Sequence, residues 1–176
     1  MELLAGEIED ELDDAIFSRG DEPLEQIAGY YLEMRGATVA VAESCTGGLL
    51  GQRLTSISGS SRYFRGGVIV YSNELKTLFA GVHPKLLEEH GAVSREVAVA
   101  LAQGIRQRCG ATLGIGITGI AGPTGGSEEK PVGLVYISLA DGDSTQVVEK
   151  TFPGDRNRIR WFATQQALDM IRHRLM

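Results

Sequence analysis

The chain has 176 residues, 43% of them hydrophobic and 23% charged, which is enough for one globular domain with a full core and a short appendage. Its formal net charge of −6 argues against an electrostatic nucleic-acid binder, which needs a basic face, and no apolar run is long enough to span a bilayer. The acidic N-terminus lacks the basic start and apolar core of a signal peptide, so the expected location is the cytoplasm.

Residues 1–21 form an acidic arm, with Glu9, Asp10, Glu11, Asp13 and Asp14 in close succession, and residues 22–176 form the expected domain. Gly20-Asp21-Glu22-Pro23 marks the break. From Leu24, the apolar positions Ile27, Ala28, Tyr31, Leu32 and Met34 follow helical spacing until Gly36. Ala37 to Ala42 reads as a buried strand, and Thr46 to Ile57 as a helix opened by the turn Ser44-Cys45-Thr46-Gly47-Gly48. Gly67 to Tyr71 is a second strand. Asn73 is placed to cap the helix carrying Lys76 and Leu78, and Pro84 starts a short helix ending near His90. Ser94 caps a helix over 95–108, with Val97, Ala98, Leu101, Ala102 and Ile105 on one face. Ala111 to Thr118 is a strand interrupted by glycine, and residues 119–131 are a loop with four glycines. Val132 to Ala140 and Thr145 to Thr151 are strands joined by the hairpin signal Asp141-Gly142-Asp143, and Asp155 caps a last helix. This alternation predicts an α/β fold, with a mixed sheet and helices on both faces.

Four segments follow a strand or open a helix, which is where open α/β sheets place ligands. In the first, Ser44 can cap the helix, hold a phosphate or act as a nucleophile. Cys45 is a weak candidate nucleophile, because His83, His90 and His173 all lie in polar or amphipathic contexts where no partner for a thiol is evident. Cys109, the other cysteine, ends a helical pattern as an expected buried residue, and the two cysteines do not have metal-binding spacing. The second segment is Val70 to Lys76. A lysine in a desolvated site can act as general base toward a serine, so Lys76 and Tyr71 are candidate partners of Ser44. The third, Thr118 to Ser127, can form an anion-binding nest or a plain surface loop, and it matches neither a Walker loop nor a dinucleotide fingerprint. The fourth is Gly154 to Arg160. Its three arginines at a helix start oppose the helix dipole and suggest phosphate or carboxylate recognition.

Five pieces in order, AESCTGG, GGVIVYSNELK, HGAVSREVA, ITGIAGPTGGSEEKPVG and FPGDRNRIR, closely resemble the C-terminal domain of the competence/damage-inducible CinA family, the nicotinamide mononucleotide (NMN) deamidases also called PncC. The resemblance covers about Glu22 to Met176. It implies a three-layer α/β/α sandwich, a homodimer, and hydrolysis of the NMN carboxamide to nicotinic acid mononucleotide and ammonia, with no cofactor or metal. Carried onto this chain, it implies Ser44 as nucleophile, Lys76 as base and Tyr71 as assisting hydroxyl, with N–H groups of the Ser44–Gly48 turn holding the oxyanion. The implied substrate-binding residues are Thr46, Gly47, Gly48, Thr118, Gly119, Gly122 and Gly125, with Arg156 or Arg160 at the phosphate. Full-length members carry a molybdopterin-binding-like front domain. Residues 7–17 resemble the connector to it, so the chain is expected to be a fragment of a longer protein or one that lost that domain. The arm is then expected to pack weakly or to swap onto a partner subunit. A non-catalytic nucleotide-binding module of such a protein is the alternative reading.

Overall fold

The computed structural model describes Glu11 and residues 16–176. Most of the acidic arm, including its expected packing or swap, lies outside the described residues, while Phe17 packs against the core. The elements are α1 (Leu24–Met34), β1 (Val39–Glu43), α2 (Leu49–Thr55), a 3-10 turn (Ser60–Arg62), β2 (Phe64–Ile69), α3 (Asn73–Ala80), α4 (Pro84–His90), α5 (Arg95–Cys109), β3 (Leu113–Gly119), β4 (Leu134–Ala140), β5 (Thr145–Thr151) and α6 (Arg156–Leu175).

The sheet order is β2-β1-β3-β4-β5. β1 runs parallel to β2 and β3, while β4 pairs antiparallel with β3 and with β5. Every residue of β1 is buried, as expected for a strand covered on both faces. Its side chains alternate between two cores. Val39 and Val41 join Leu113, Ile115, Ile117, Leu32 and Leu168, whereas Ala40 and Ala42 join Val70, Val97, Leu101 and Ile105. Helices α1, α2 and α6 therefore cover one face and α3, α4 and α5 the other, giving an α/β/α sandwich with a mixed sheet.

The glycines that interrupt β3 have a packing role. A Cβ at Gly114 would stand 2.1 Å from the Ala102 carbonyl, and one at Gly116 would stand 2.4 Å from that of Ala98. The backbone of α5 thus rests directly on β3.

Helix starts follow local chemistry. Ser94 Oγ accepts from Val97 N (3.3 Å) and Asp155 from Arg158 N (2.9 Å), as the sequence predicts. The cap of α3 is Ser72, one residue before the expected Asn73, with Oγ accepting from Leu75 N (3.3 Å). The helix expected from Thr46 begins only at Leu49, because Gly47 (φ 60°) and Gly48 (φ 93°) are left-handed. β2 ends at Ile69 rather than Tyr71. Val70 still donates to the Glu43 carbonyl (2.8 Å), and the chain then leaves the sheet. Cys109 is half-buried rather than buried.

Candidate active site

Ser44, Lys76 and Thr118 all sit at or just beyond the C-terminal ends of the parallel strands β1, β2 and β3. Ser44 immediately follows β1, and its N–H donates to the Ile117 carbonyl (3.0 Å), which ties the nucleophile turn to β3. Lys76 is in the first turns of α3 but points inward, and the residue is 2% exposed. Its Nζ lies 3.1 Å from Ser44 Oγ, 3.0 Å from the Val70 carbonyl and 3.4 Å from the Tyr71 carbonyl. Among the described residues, no carboxylate reaches it. Burial pushes the Lys76 amine below its ordinary value, against a smaller opposing effect of Cys45. Once deprotonated, it keeps two N–H donors for the two carbonyls and turns its lone pair to the Ser44 hydroxyl. Burial pushes the Cys45 thiol up to about 12, so Cys45 is a thiol rather than a thiolate at neutral pH.

These residues line a cavity of about 310 Å³ together with Tyr71, Asn73, Ala92, Val93, Thr118 to Gly122, Gly125 and Arg156. Larger clefts of about 500 Å³ lie between α5 and the β4–β5 turn and beside α3, but neither is lined by a buried lysine. Thr118 Oγ1 donates to the Ala92 carbonyl (2.7 Å) and keeps its lone pairs. Arg156 spans the mouth, donating to the Gly122 carbonyl (2.8 Å) and to the Tyr71 hydroxyl (2.9 Å).

Several expected residues are engaged differently or stand elsewhere. The Tyr71 hydroxyl is held by Arg156 and the residue is 58% exposed, so Lys76 is served by the Tyr71 carbonyl instead. Arg160 is committed to the Thr46 carbonyl through Nε (3.2 Å) and Nη2 (2.8 Å). Thr46, Gly47, Gly48 and Arg160 do not line the cavity. The Thr46 hydroxyl is buried without a hydrogen-bond partner among the described residues. Not all of the turn's N–H groups are open to an oxyanion, because Gly48 N–H is held by the Glu43 carboxylate (3.1 Å) and Gly47 N–H by the Ser44 carbonyl (3.1 Å). Those of Cys45 and Thr46 are held by no other described residue.

Three contributors were not singled out from the sequence as site residues, although Asn73 was expected as a helix cap. Asn73 lines the cavity. Glu43 caps α2 from five residues before the cap position. Lys130 Nζ donates to the carbonyls of His90 (2.9 Å) and Val93 (2.8 Å), pinning the glycine loop to the α4–α5 link. Among the described residues, no cluster of three or more His, Cys, Asp or Glu could hold a metal ion, and no helix is long and apolar enough to cross a membrane.

A family model described as the CinA C-terminal domain matches residues 21–175. A CinA-like protein of Koribacter versatilis is 66% identical over 176 residues, which is all of this chain and 42% of that protein. A putative competence-damage inducible protein of Moorella thermoacetica is 53% identical over 169 residues, covering 96% of this chain and 41% of its own length. The chain thus spans about two-fifths of the length of these curated relatives. The crystal structure of the competence/damage inducible protein CihA from Agrobacterium tumefaciens superposes with a TM-score of 0.82 at 37% identity, over 88% of this chain and 96% of that one. Sequence, fold and relatives agree, and the chain belongs to the CinA family through its CinA C-terminal domain.

Proposed function

We propose that the chain is an amidohydrolase that converts NMN to nicotinic acid mononucleotide and ammonia through an acyl-enzyme on Ser44. The observation that supports this best is the buried pair itself, with Lys76 Nζ 3.1 Å from Ser44 Oγ and its amine pushed toward the neutral form. NMN is chosen through the family resemblance. The cavity is compatible with it, since its lining includes both the Ser44–Lys76 pair and the Arg156 guanidinium, which suits a phosphate.

In this reading, Lys76 accepts the Ser44 proton as Oγ attacks the carboxamide carbon. The Cys45 N–H, from a residue that lines the cavity beside Ser44, is the candidate to hold the oxyanion, a donor in such a site being worth about 3–4 kcal/mol. Collapse of the intermediate breaks the C–N bond, and the Lys76 ammonium returns its proton to the leaving ammonia. A water, deprotonated by Lys76, then attacks the ester. That step releases the carboxylate product and restores Ser44. Arg156 and the Thr118–Gly125 loop supply binding and orientation.

The test is to incubate the purified protein with NMN and measure ammonia and nicotinic acid mononucleotide. Wild type is expected to release both, and Ser44→Ala to lose about three orders of magnitude or more in kcat. A wild type that releases no ammonia overturns the reading, and unchanged turnover by Ser44→Ala removes Ser44 as the nucleophile.

A further inference from the structure

The residue before the nucleophile is a carboxylate buried to 1% exposure. Glu43 is the last residue of β1, between Ile69 of β2 and Ile117 of β3 in the sheet register. Its Oε2 accepts from the N–H groups of Gly48 (3.1 Å) and Leu50 (3.1 Å), and its Oε1 from that of Gly51 (2.8 Å). Ser44 to Gly47 are thereby closed into a loop between a strand end and a helix start.

Stabilising α2 does not require this arrangement. Helices are ordinarily capped by a short polar side chain at the cap position itself. Here the cap position is Gly48, which has no side chain to offer, and the acceptor comes from across the turn that carries Ser44. The same residue also reaches the base. The Glu43 carbonyl accepts from Val70 N–H (2.8 Å), and the Val70 carbonyl accepts from Lys76 Nζ (3.0 Å). One residue thus ties together the nucleophile turn, the start of α2 and the strand end that holds the lysine. At its far end, α2 is anchored by Arg53, which donates to Glu25 (2.7 Å) and Thr164 (3.0 Å), so α2 is held at both ends.

We propose that Glu43 is the positioning residue of the nucleophile. Its carboxylate staples the turn across Gly48, Leu50 and Gly51 and so presents Ser44 Oγ to Lys76. The staple also fills the donors at the start of α2 with an internal acceptor. An anionic substrate is then left to find its partner at Arg156, and the Cys45 N–H, held by no other described residue, remains beside Ser44.

This proposal rests on Ser44 being the nucleophile, so its test reads Ser44 directly as well as NMN turnover. Labelling of Ser44 by a fluorophosphonate probe is timed in wild type, Glu43→Gln and Glu43→Asp, alongside kcat and KM for NMN and the melting temperature. Gln keeps the shape but presents an NH2 group where an acceptor is needed. A displaced turn is expected to slow labelling and kcat on the order of 100-fold, with KM for NMN within about twofold. Asp keeps both oxygens but is one methylene shorter, and it is expected to label on the order of tenfold more slowly than wild type. If Glu43→Gln does not fold, Glu43→Asp carries the comparison.

A folded variant that lowers only the melting temperature, with wild-type labelling and kcat, overturns the proposal. So does a wild-type Ser44 inert to the probe. If wild type labels at Ser44 but leaves NMN intact, the amidase reading fails and the labelling comparison still decides the role of Glu43.

Discussion

Lys76 places its Nζ between two backbone carbonyls and a serine hydroxyl, with no carboxylate among the described residues to hold its charge. Burial lowers its proton affinity, and that shift has a kinetic and a thermodynamic consequence. For the kinetics, the active form carries a neutral amine. The kcat/KM for NMN should therefore fall on the acid side as Lys76 takes up a proton, with a midpoint below the ordinary lysine value of 10.5. Lys76→Arg cannot supply a neutral base and should lose about 10²–10⁴-fold in kcat without recovering at high pH. A wild-type profile with no acid limb below 10.5 removes Lys76 as the base. For the thermodynamics, the unfolded chain binds more protons than the folded one between the lowered value and 10.5. The contribution of Lys76 to stability therefore rises with pH through that window. Denaturant titrations should show Lys76→Met losing ground to wild type as pH increases. Cys45, one residue from Ser44, offers no competing nucleophile, since its thiol titrates near 12.

The elements differ in how far the sequence announces them. Caps that act within one turn, such as Ser94 and Asp155, were legible because donor and acceptor are three residues apart. The start of α2 was not, because its acceptor is Glu43 across the turn and two left-handed glycines delay the helix. The limits of β2 were blurred by Gly66 and Gly67, which dilute the apolar pattern that marks a strand. The glycines of β3 were visible as interruptions, but nothing local says that α5 lies against them. Ser44 and Lys76 are 32 residues apart, and the pairing of β1 with β2 helps bring them together. Residue chemistry made them candidate partners, and the family resemblance gave each its role. Lys130 escaped notice because its partners are main-chain carbonyls, which any residue provides. It nevertheless fixes the glycine loop against the link that supplies Ala92 and Val93 to the cavity. Lys130→Met keeps the stem and removes both bonds. We expect KM for NMN to rise about tenfold, equal to about 1.4 kcal/mol, with the acid limb of Lys76 unmoved. Amide hydrogen exchange should quicken across residues 120–133. Wild-type KM and exchange would show that the loop holds itself.

At the scale of the molecule, the three layers leave their chemistry at one end of the sheet. The cavity takes its residues from beyond β1 and β2, from the end of β3 and the loop after it, from the α4–α5 link and from the start of α6. The chain as a whole is acidic, with a net charge of −6, so its overall field repels an anionic substrate. At physiological salt, charges more than about 8 Å away are largely screened, and recognition of a phosphate falls to whatever cation stands at the cavity itself. Among the arginines at the start of α6, Arg160 is spent on the Thr46 carbonyl and Arg158 lies over the Phe162 ring, 5.7 Å from its centroid. Arg156 lines the cavity, and its hydrogen bonds go to a carbonyl and a phenol that leave its charge unneutralised. The phosphate of NMN should therefore compete for Arg156, and a substrate without the phosphate should not depend on it. We expect Arg156→Gln to lower kcat/KM for NMN about 10–100-fold, the loss of one or two charge-assisted bonds, while changing that for nicotinamide riboside by less than about threefold. Arg160→Gln, by the same reasoning, should lower both substrates alike, since it disturbs the turn rather than the phosphate. Equal losses on the two substrates in Arg156→Gln would mean that this arginine braces the cavity mouth through Tyr71 and Gly122 and that the phosphate binds elsewhere.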